Sequence, residues 1–162
     1  MQASLTLIDN STTQDREAED RLVEQALAVL DQRYFTRGEY LSSPASVASY
    51  LKLQLASHPH EVFGMVCLDS RLRVLSFDKL FFGSIDGASV YPREVVTRAL
   101  VHNAACVVFC HNHPSGCNEP SQADRTLTLR LRDALALVEV RVVDHFIIGA
   151  GEPLSMADNG WI

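Results

Sequence analysis

Apolar residues recur along the chain with helical spacing in some segments and with strand-like spacing in others. Residues 16–34 follow helical spacing. A second helix is predicted over residues 43–57, with Ser43 as N-cap and Pro44 at the first helical position. The first fifteen residues are polar and are predicted to be frayed, and residues 36–43 (TRGEYLSS) are predicted to form a linker. Three apolar residues share one face of the second helix: Val47, Leu51 and Leu55.

Two strand-like runs follow, over residues 61–68 and 73–82. The tight polar turn Asp69-Ser70-Arg71 joins them, which predicts an antiparallel hairpin. A helix is predicted over residues 92–103, and residues 104–110 (AACVVFC) form a continuous apolar run, as expected of a strand buried on both faces. Four residues of that helix are predicted to face inward: Val95, Val96, Ala99 and Leu100.

The last third of the chain is predicted to contain a loop, a helix and a strand, in that order. A loop rich in Pro, Gly, Asn and Ser covers residues 111–120, a helix is predicted over 121–138, and a buried strand over 140–148. The tail PLSMADNGWI is predicted to pack back as a short turn or helix. Alternating strands and helices predict an α/β or α+β domain around a central mixed sheet.

Size and charge limit the classes of function. The 162 residues suffice for one domain, and 47% hydrophobic and 21% charged residues are typical of a soluble globular protein. No signal peptide is recognised, and no apolar run approaches the roughly 18 residues of a membrane span, so a cytoplasmic protein is expected.

The net charge of −6 and the presence of only two lysines disfavour a dedicated DNA-binding module, although these totals do not exclude a local basic face. Three arginines of the helix over 121–138 are predicted to form a solvated face: Arg125, Arg130 and Arg132.

The four cysteines form no CxxC pair. Cys106 and Cys110 lie in the apolar run, so reduced buried thiols are predicted rather than disulfides or a zinc ribbon. Cys117 lies among polar turn residues and is predicted to be a loop residue, with a role as ligand or redox switch as the alternative.

The stretch HNHPSGCNEPSQAD contains the candidate chemistry. His111 and His113 are two residues apart at the end of a predicted strand, which puts both imidazoles on the same side of an extended chain. Asp124 lies in the first turn of the next helix and can fold back over them. Two imidazoles and one carboxylate leave zinc an open fourth position for water, whose pKa then falls towards about 7. One catalytic zinc is therefore predicted.

A proton-transferring carboxylate is also needed, and Glu61 at the start of a strand is the candidate, with a solvated strand end as the alternative. Ser121 and Asp124 also satisfy a capping-box pattern, so capping alone is the competing interpretation of that pair. Asp144-His145 lies in a buried strand. It is interpreted either as a partner of a metal-bound imidazole or as a hydrogen-bonded core pair.

His111-x-His113, Ser121 and Asp124, with a glutamate upstream, resemble the JAMM motif of the JAB/MPN metallopeptidase superfamily. Within it, HNHPSG, PS-x-x-D and DH-x-I-I-G resemble the bacterial RadC-like proteins, from about residue 41 to the C-terminus. The resemblance implies an MPN-type curved mixed sheet flanked by helices over residues 41–162, preceded by a polar tail and amphipathic helix over residues 1–40. It also implies a zinc-dependent hydrolase of amide or isopeptide bonds in a peptide or protein substrate. By position it makes His111, His113 and Asp124 the zinc ligands, Glu61 the general acid/base and Ser121 the oxyanion-stabilising residue.

Two departures from the family pattern bear on function. Longer RadC-like proteins carry a helix-hairpin-helix region, for which the 162 residues are not expected to have room, and position 117, commonly acidic in the family, is Cys117 here. The alternatives to a hydrolase are a DNA-repair or recombination accessory protein with a structural or vestigial metal site, and a zinc-stabilised protein-interaction domain. No oligomeric state is predicted.

Overall fold

The computed structural model describes residues 10–35, 44–83 and 89–162. Within these ranges the chain forms four helices and five strands. The helices are α1 (Asn10–Phe35), α2 (Pro44–Leu55), α3 (Pro92–Val101) and α4 (Gln122–Ala136). The strands are β1 (Val62–Leu68), β2 (Val74–Phe82), β3 (Cys106–Asn112), β4 (Arg141–Ile148) and β5 (Leu154–Ser155). None of the helices in the described ranges combines the length and apolar character that crossing a bilayer requires.

The strands form one mixed sheet in the order β2-β1-β3-β4-β5. β1 and β2 form the antiparallel hairpin that the sequence predicts, and β1 pairs antiparallel with β3 on its other side. β3 and β4 are parallel, with α4 as their connection, and β5 runs antiparallel to β4. The α+β fold with a mixed sheet is thus confirmed.

Both faces of the sheet are covered, which explains the continuous apolar runs of its central strands. Alternate residues of β1 and β3 point to opposite faces. One face packs against α2, whose residues Val47, Leu51 and Leu55 are buried as predicted. The other face packs against α3 and α4 through Val95, Ala99, Leu131 and Leu135.

The first helix extends further than the hydrophobic pattern predicts. α1 begins at Asn10 rather than near Arg16, so the prediction of a frayed segment is wrong for residues 10–15, while residues 1–9 lie outside the described residues. Most of the added residues are Asn, Ser, Thr and Asp, which are weak helix formers, and the apolar pattern therefore does not indicate this earlier start. α1 contacts α2 and β2, and Leu30 packs against the core beneath α2. The predicted linker over residues 36–43 lies outside the described residues.

Two local predictions are wrong, and a third, that the C-terminal tail packs back as a short turn or helix, is incomplete. Leu100 is 54% exposed rather than inward-facing, because α3 meets the sheet through the i, i+4 pair Val95 and Ala99 and the next residue turns outward. β3 continues through His111 to Asn112, since Phe63 on one side and Ile147 on the other pair with His111. The C-terminal tail contains the short strand β5 before its turns.

Candidate metal centre

The two histidines of the HxH motif lie at the carboxyl end of β3. The strand alternation puts both rings on the face of the sheet that α4 covers, as the spacing of two predicts. Their Nε2 atoms are 2.9 Å apart, and the rings approach with a centroid separation of 4.7 Å. His111 is buried against the ring of Phe63, whereas His113 is half-buried at the rim.

Asp124 faces this pair from the first turn of α4. Its Oδ1 lies 3.5 Å from His111 Nε2, and its Oδ2 lies 3.6 Å from His113 Nε2. Ser121, the N-cap of α4, donates to Asp124 Oδ2 from its backbone N–H at 2.7 Å and from its hydroxyl at 2.6 Å. The backbone N–H of Asp124 donates in return to Ser121 Oγ, which completes a capping box. The cap therefore sets the orientation of the carboxylate.

The three side chains are spaced closely enough to be ligands of one metal ion. The ligands of a tetrahedral zinc ion, with metal distances of about 2.0–2.2 Å, lie roughly 3.3–3.6 Å from one another. His111 Nε2 lies 2.9 Å from His113 Nε2 and 3.5 Å from Asp124 Oδ1, and the second carboxylate oxygen, Oδ2, lies 3.6 Å from His113 Nε2. These separations are close to that range. Among the described residues, His111, His113 and Asp124 are the one group of three or more ligating side chains that converges in this way.

Asp124 and His113 shift each other's pKa values toward the charged forms. A hydrogen bond with Asp124 raises the pKa of His113 above the usual histidine value, against the effect of burial. Burial alone would raise the pKa of Asp124, but the favourable interactions with the imidazoles of His111 and His113 and the hydrogen bonds from Ser121 outweigh it and hold that pKa well below its usual range. Asp124 therefore stays ionised at neutral pH, which is the state required of a metal ligand.

Each histidine is also held through Nδ1, on the side away from Asp124. His113 Nδ1 lies 2.8 Å from the backbone carbonyl of Cys117, and His111 Nδ1 lies 2.8 Å from Nε2 of His145. A carbonyl only accepts hydrogen bonds, so His113 carries its proton on Nδ1 when neutral. Its Nε2 lone pair then faces His111 and Asp124.

His145 and Asp144 have separate roles in the structure. His145 is fully buried on β4, between His111 and the hydroxyl of Thr128, whose Oγ1 lies 2.7 Å from His145 Nδ1. Burial and the neighbouring His111 and His113 lower the pKa of His145 well below its usual value. Asp144 points away and holds the C-terminal segment through Ser155 Oγ at 2.6 Å and the backbone N–H of Ala157 at 3.0 Å.

Glu61 immediately precedes β1, next to the histidines. Phe63 pairs with His111 in the antiparallel ladder between β1 and β3, so continuing the register by two residues brings Glu61 beside His113. The charge of Glu61 contributes to the raised pKa of His113. The structure thus provides the adjacency that the sequence could not show, while the role of Glu61 as acid/base stays a prediction.

Asn112, between the two histidines, is a residue that the sequence analysis did not single out. Its side chain is buried, accepts from the backbone N–H of Val62 at 2.7 Å and donates to the carbonyls of His58 and His60 at 3.2 and 3.1 Å. These three bonds fix the backbone on both sides of Glu61. The alternation of the HNH triplet was the available signal, since it turns the middle residue to the face opposite the histidines.

The four cysteines are free, as predicted. Cys67, Cys106 and Cys110 are buried, and burial raises the pKa of the Cys67 thiol to about 11. Cys117 is exposed, and its contact with the site is through its backbone carbonyl.

Comparison of the amino-acid sequence with known proteins identifies the family of this chain. The family model described as a RadC-like JAB domain matches residues 41–161. A UPF0758 protein of Ectopseudomonas mendocina (strain ymp) is 67% identical over 126 residues, which cover 78% of this chain and 56% of the relative. UPF0758 proteins of Stutzerimonas stutzeri (strain A1501) and Azotobacter vinelandii (strain DJ) are 58% and 57% identical over 142 residues, covering 85% of this chain and 63% of each relative.

The chain spans roughly three fifths of the length of these curated relatives, and their names state no activity. The family model covers most of the chain and includes every residue of the candidate metal centre. On these matches, the chain belongs to the RadC-like JAB-domain family.

Proposed function

We propose that this chain is a zinc-dependent hydrolase of the JAMM type that cleaves an amide or isopeptide bond in a peptide or protein. The observation that supports this proposal most directly is the convergence of three ligand atoms, from His111, His113 and Asp124, beside Glu61. Membership of the RadC-like JAB-domain family supports it independently. We expect the protein to act in the cytoplasm.

The residues that would hold one zinc ion are His111 and His113 through Nε2, and Asp124 through a carboxylate oxygen. Both hydrogen bonds from Ser121 go to Oδ2 of Asp124, which also lies 3.6 Å from His113 Nε2, whereas Oδ1 receives no bond from the cap and faces His111 Nε2 at 3.5 Å. When bound, the zinc would act as a Lewis acid toward the scissile carbonyl and acidify a water molecule in its open fourth position.

Glu61 would handle the proton in this reaction. Its carboxylate would take a proton from the attacking water and return it to the nitrogen of the leaving amine, as general base and then general acid. Asn112 supports this role, because it fixes the backbone from His58 to Val62.

Ser121 would stabilise the oxyanion that forms when water attacks the carbonyl. In the structure its hydroxyl donates to Asp124 Oδ2, so the hydroxyl would turn its proton toward the oxyanion during the reaction. The backbone N–H of Ser121 would keep Asp124 in place meanwhile.

The test is a paired measurement of metal content and turnover. Wild type and Glu61→Gln would be loaded with zinc, and zinc would be quantified by mass spectrometry. Hydrolysis would be followed on a set of fluorogenic peptide amides and lysine-isopeptide peptides. Glu94→Gln, an exposed glutamate on α3, serves as the matched control.

We expect about one zinc per chain in all three proteins and hydrolysis reduced about 10²–10⁴-fold in Glu61→Gln alone. Wild-type turnover by Glu61→Gln would contradict the assigned role of Glu61. Bound zinc without hydrolysis of any of these substrates would contradict the hydrolase and favour a structural zinc. Submicromolar, structure-selective DNA binding at physiological salt would then support the accessory protein.

A further inference from the structure

We propose that His145 and Thr128 are positioning residues that fix the tautomer of His111, so that the lone pair of His111 Nε2 faces Asp124 and His113. This inference rests on the proposed function in assuming that a cation binds between these three side chains. It goes further by assigning a role to two residues that touch neither the cation position nor the scissile bond.

The chain of hydrogen bonds that ends at His111 begins at a backbone carbonyl. Thr128 Oγ1 lies 2.6 Å from the carbonyl oxygen of Asp124, one helical turn earlier. A carbonyl only accepts, so the single hydroxyl proton of Thr128 points at Asp124. The sulfur of Met156, 3.7 Å away, is a weaker acceptor and does not compete for that proton.

Because the hydroxyl proton of Thr128 points at Asp124, Thr128 Oγ1 can only accept a hydrogen bond from its other close neighbour. That neighbour is His145 Nδ1 at 2.7 Å, which must therefore carry the ring proton of His145. His145 is fully buried, and a second ring proton would place an uncompensated charge in the core. Nε2 of His145 is consequently an acceptor.

Nε2 of His145 lies 2.8 Å from His111 Nδ1. Because the first atom accepts, the second donates, and the single proton of neutral His111 resides on Nδ1. Nε2 of His111 is left with a lone pair aimed at the space bounded by His113 Nε2, 2.9 Å away, and Asp124 Oδ1, 3.5 Å away. A proton on that atom would occupy the space in which a cation must bind.

These hydrogen bonds connect two of the three candidate ligands, His111 and Asp124. Hydrogen bonds run from His111 through His145 and Thr128 to the backbone of Asp124, so a shift in one ligand is opposed by the other. Histidine ligands often donate to a carboxylate or a backbone carbonyl. Here a neutral imidazole is the acceptor, which orients His111 without adding a negative charge.

A purely structural role for the buried pair is the alternative, and it makes a different prediction. A core network would change thermal stability when broken and leave the proton position on His111 and the zinc affinity unaffected. The experiment therefore reads the tautomers directly by ¹⁵N NMR of histidine-labelled protein, zinc-free in alkaline buffer and zinc-loaded. It also measures zinc affinity by competition with a chelator, and the melting temperature.

The variants are Thr128→Val, which keeps the side-chain shape, and His145→Gln, whose amide oxygen can take the place of the Nε2 acceptor. Thr126→Val is the matched control, because Thr126 Oγ1 makes the same kind of bond to the carbonyl of Gln122 at 2.9 Å but is exposed and remote from His145. All three are compared with wild type at the same pH.

In zinc-free wild type we expect protonated-type ¹⁵N shifts at Nδ1 and unprotonated-type shifts at Nε2 for both His111 and His145. Thr128→Val should mix these tautomers and weaken zinc binding about 10–100-fold, the usual scale for partners of metal ligands. Thr126→Val should match wild type, and His145→Gln should retain most of the affinity.

A proton on Nε2 of either His111 or His145 in wild type would overturn the inference, as would equal zinc affinity in Thr128→Val and Thr126→Val. These outcomes do not depend on hydrolysis. A protein that binds zinc with the expected tautomers and cleaves no amide would refute the proposed function and leave this inference standing.

Discussion

Ser121 and Asp124 hold each other in a reciprocal capping box, and the carboxylate that completes this cap is the one that faces His111 and His113. From the sequence, capping and metal ligation are competing interpretations of the same pair. The structure makes them compatible, because the cap uses Oδ2 and turns Oδ1 toward His111. The capping box therefore orients the Asp124 carboxylate in the candidate metal centre.

Replacing Ser121 should accordingly affect stability and metal binding together. Ser121→Ala removes the hydroxyl that caps α4, so the free energy of unfolding of the zinc-free protein should fall by about 1 kcal/mol. Zinc affinity should also fall, because Asp124 Oδ2 loses one of its two orienting bonds. Urea denaturation and chelator competition measure the two effects. Ser121→Thr, which keeps a capping hydroxyl, should recover both, and a stability loss with unchanged zinc affinity would contradict the orienting role.

The sequence predicts the local parts of this centre because they depend on short spacings. Period-two alternation puts His111 and His113 on one face, and the helix start brings Asp124 back toward them. The position of Glu61 depends instead on β1 lying beside β3, although β2 and α3 separate these two strands along the chain. Strand order is a non-local property that no spacing within one segment encodes, so this adjacency could be expected only from the family resemblance.

The orientation of His145 also depends on the pairing of its strand with another strand. Sequence indicates a buried Asp144-His145 pair but cannot say which residue turns toward the histidines. The parallel ladder between β3 and β4 has a register irregularity between Val107 and Val108, and past it His145 pairs with Phe109. A shift of one residue exchanges the faces of a strand, and therefore this irregularity decides that His145 rather than Asp144 contacts His111.

The affinity for zinc should depend on pH through His113. The hydrogen bond with Asp124 raises the pKa of His113, so in the zinc-free protein a proton occupies this ligand up to a pH above the usual 6.5. Zinc must displace that proton, and affinity should therefore rise with pH and level off only above the raised pKa. Because the charge of Glu61 contributes to this shift, Glu61→Gln should move the midpoint to lower pH. Identical pH profiles in the two proteins would place Glu61 too far from His113 to act in the site.

Asn112 should control the position of Glu61 rather than the metal. Asn112→Ala leaves the buried backbone N–H of Val62 without its acceptor, which should cost about 1–3 kcal/mol of unfolding free energy. Zinc stoichiometry should remain near one per chain, while hydrolysis falls because the segment from His58 to Val62 is released. Denaturation, metal analysis and turnover on the same preparation test this. Asn159→Ala, which removes a side-chain bond to the carbonyl of Ser155 in the C-terminal segment, should leave turnover unchanged.

The loop that follows the histidines is held close to the end of β4, and two glycines there provide a matched test. A Cβ built on Gly149 would lie 2.5 Å from the carbonyl oxygen of Gly116 and 2.9 Å from backbone atoms of Cys117 and Asn118. These are backbone contacts, so no change of rotamer can relieve them. A Cβ on Gly151 would meet only the side chain of Asn118, at an ordinary 3.9 Å.

Gly149→Ala should therefore displace the loop that carries the Cys117 carbonyl, the acceptor for His113 Nδ1 at 2.8 Å. Overpacking of this kind typically costs about 1–3 kcal/mol, so the melting temperature of the zinc-free protein should fall. Zinc affinity should fall as well, because His113 loses the contact that fixes its ring. Gly151→Ala should match wild type in both measurements. If Gly149→Ala melted early yet bound zinc as tightly as Gly151→Ala, the loop would stabilise the fold without orienting His113, and the contact with Cys117 would have no part in metal binding.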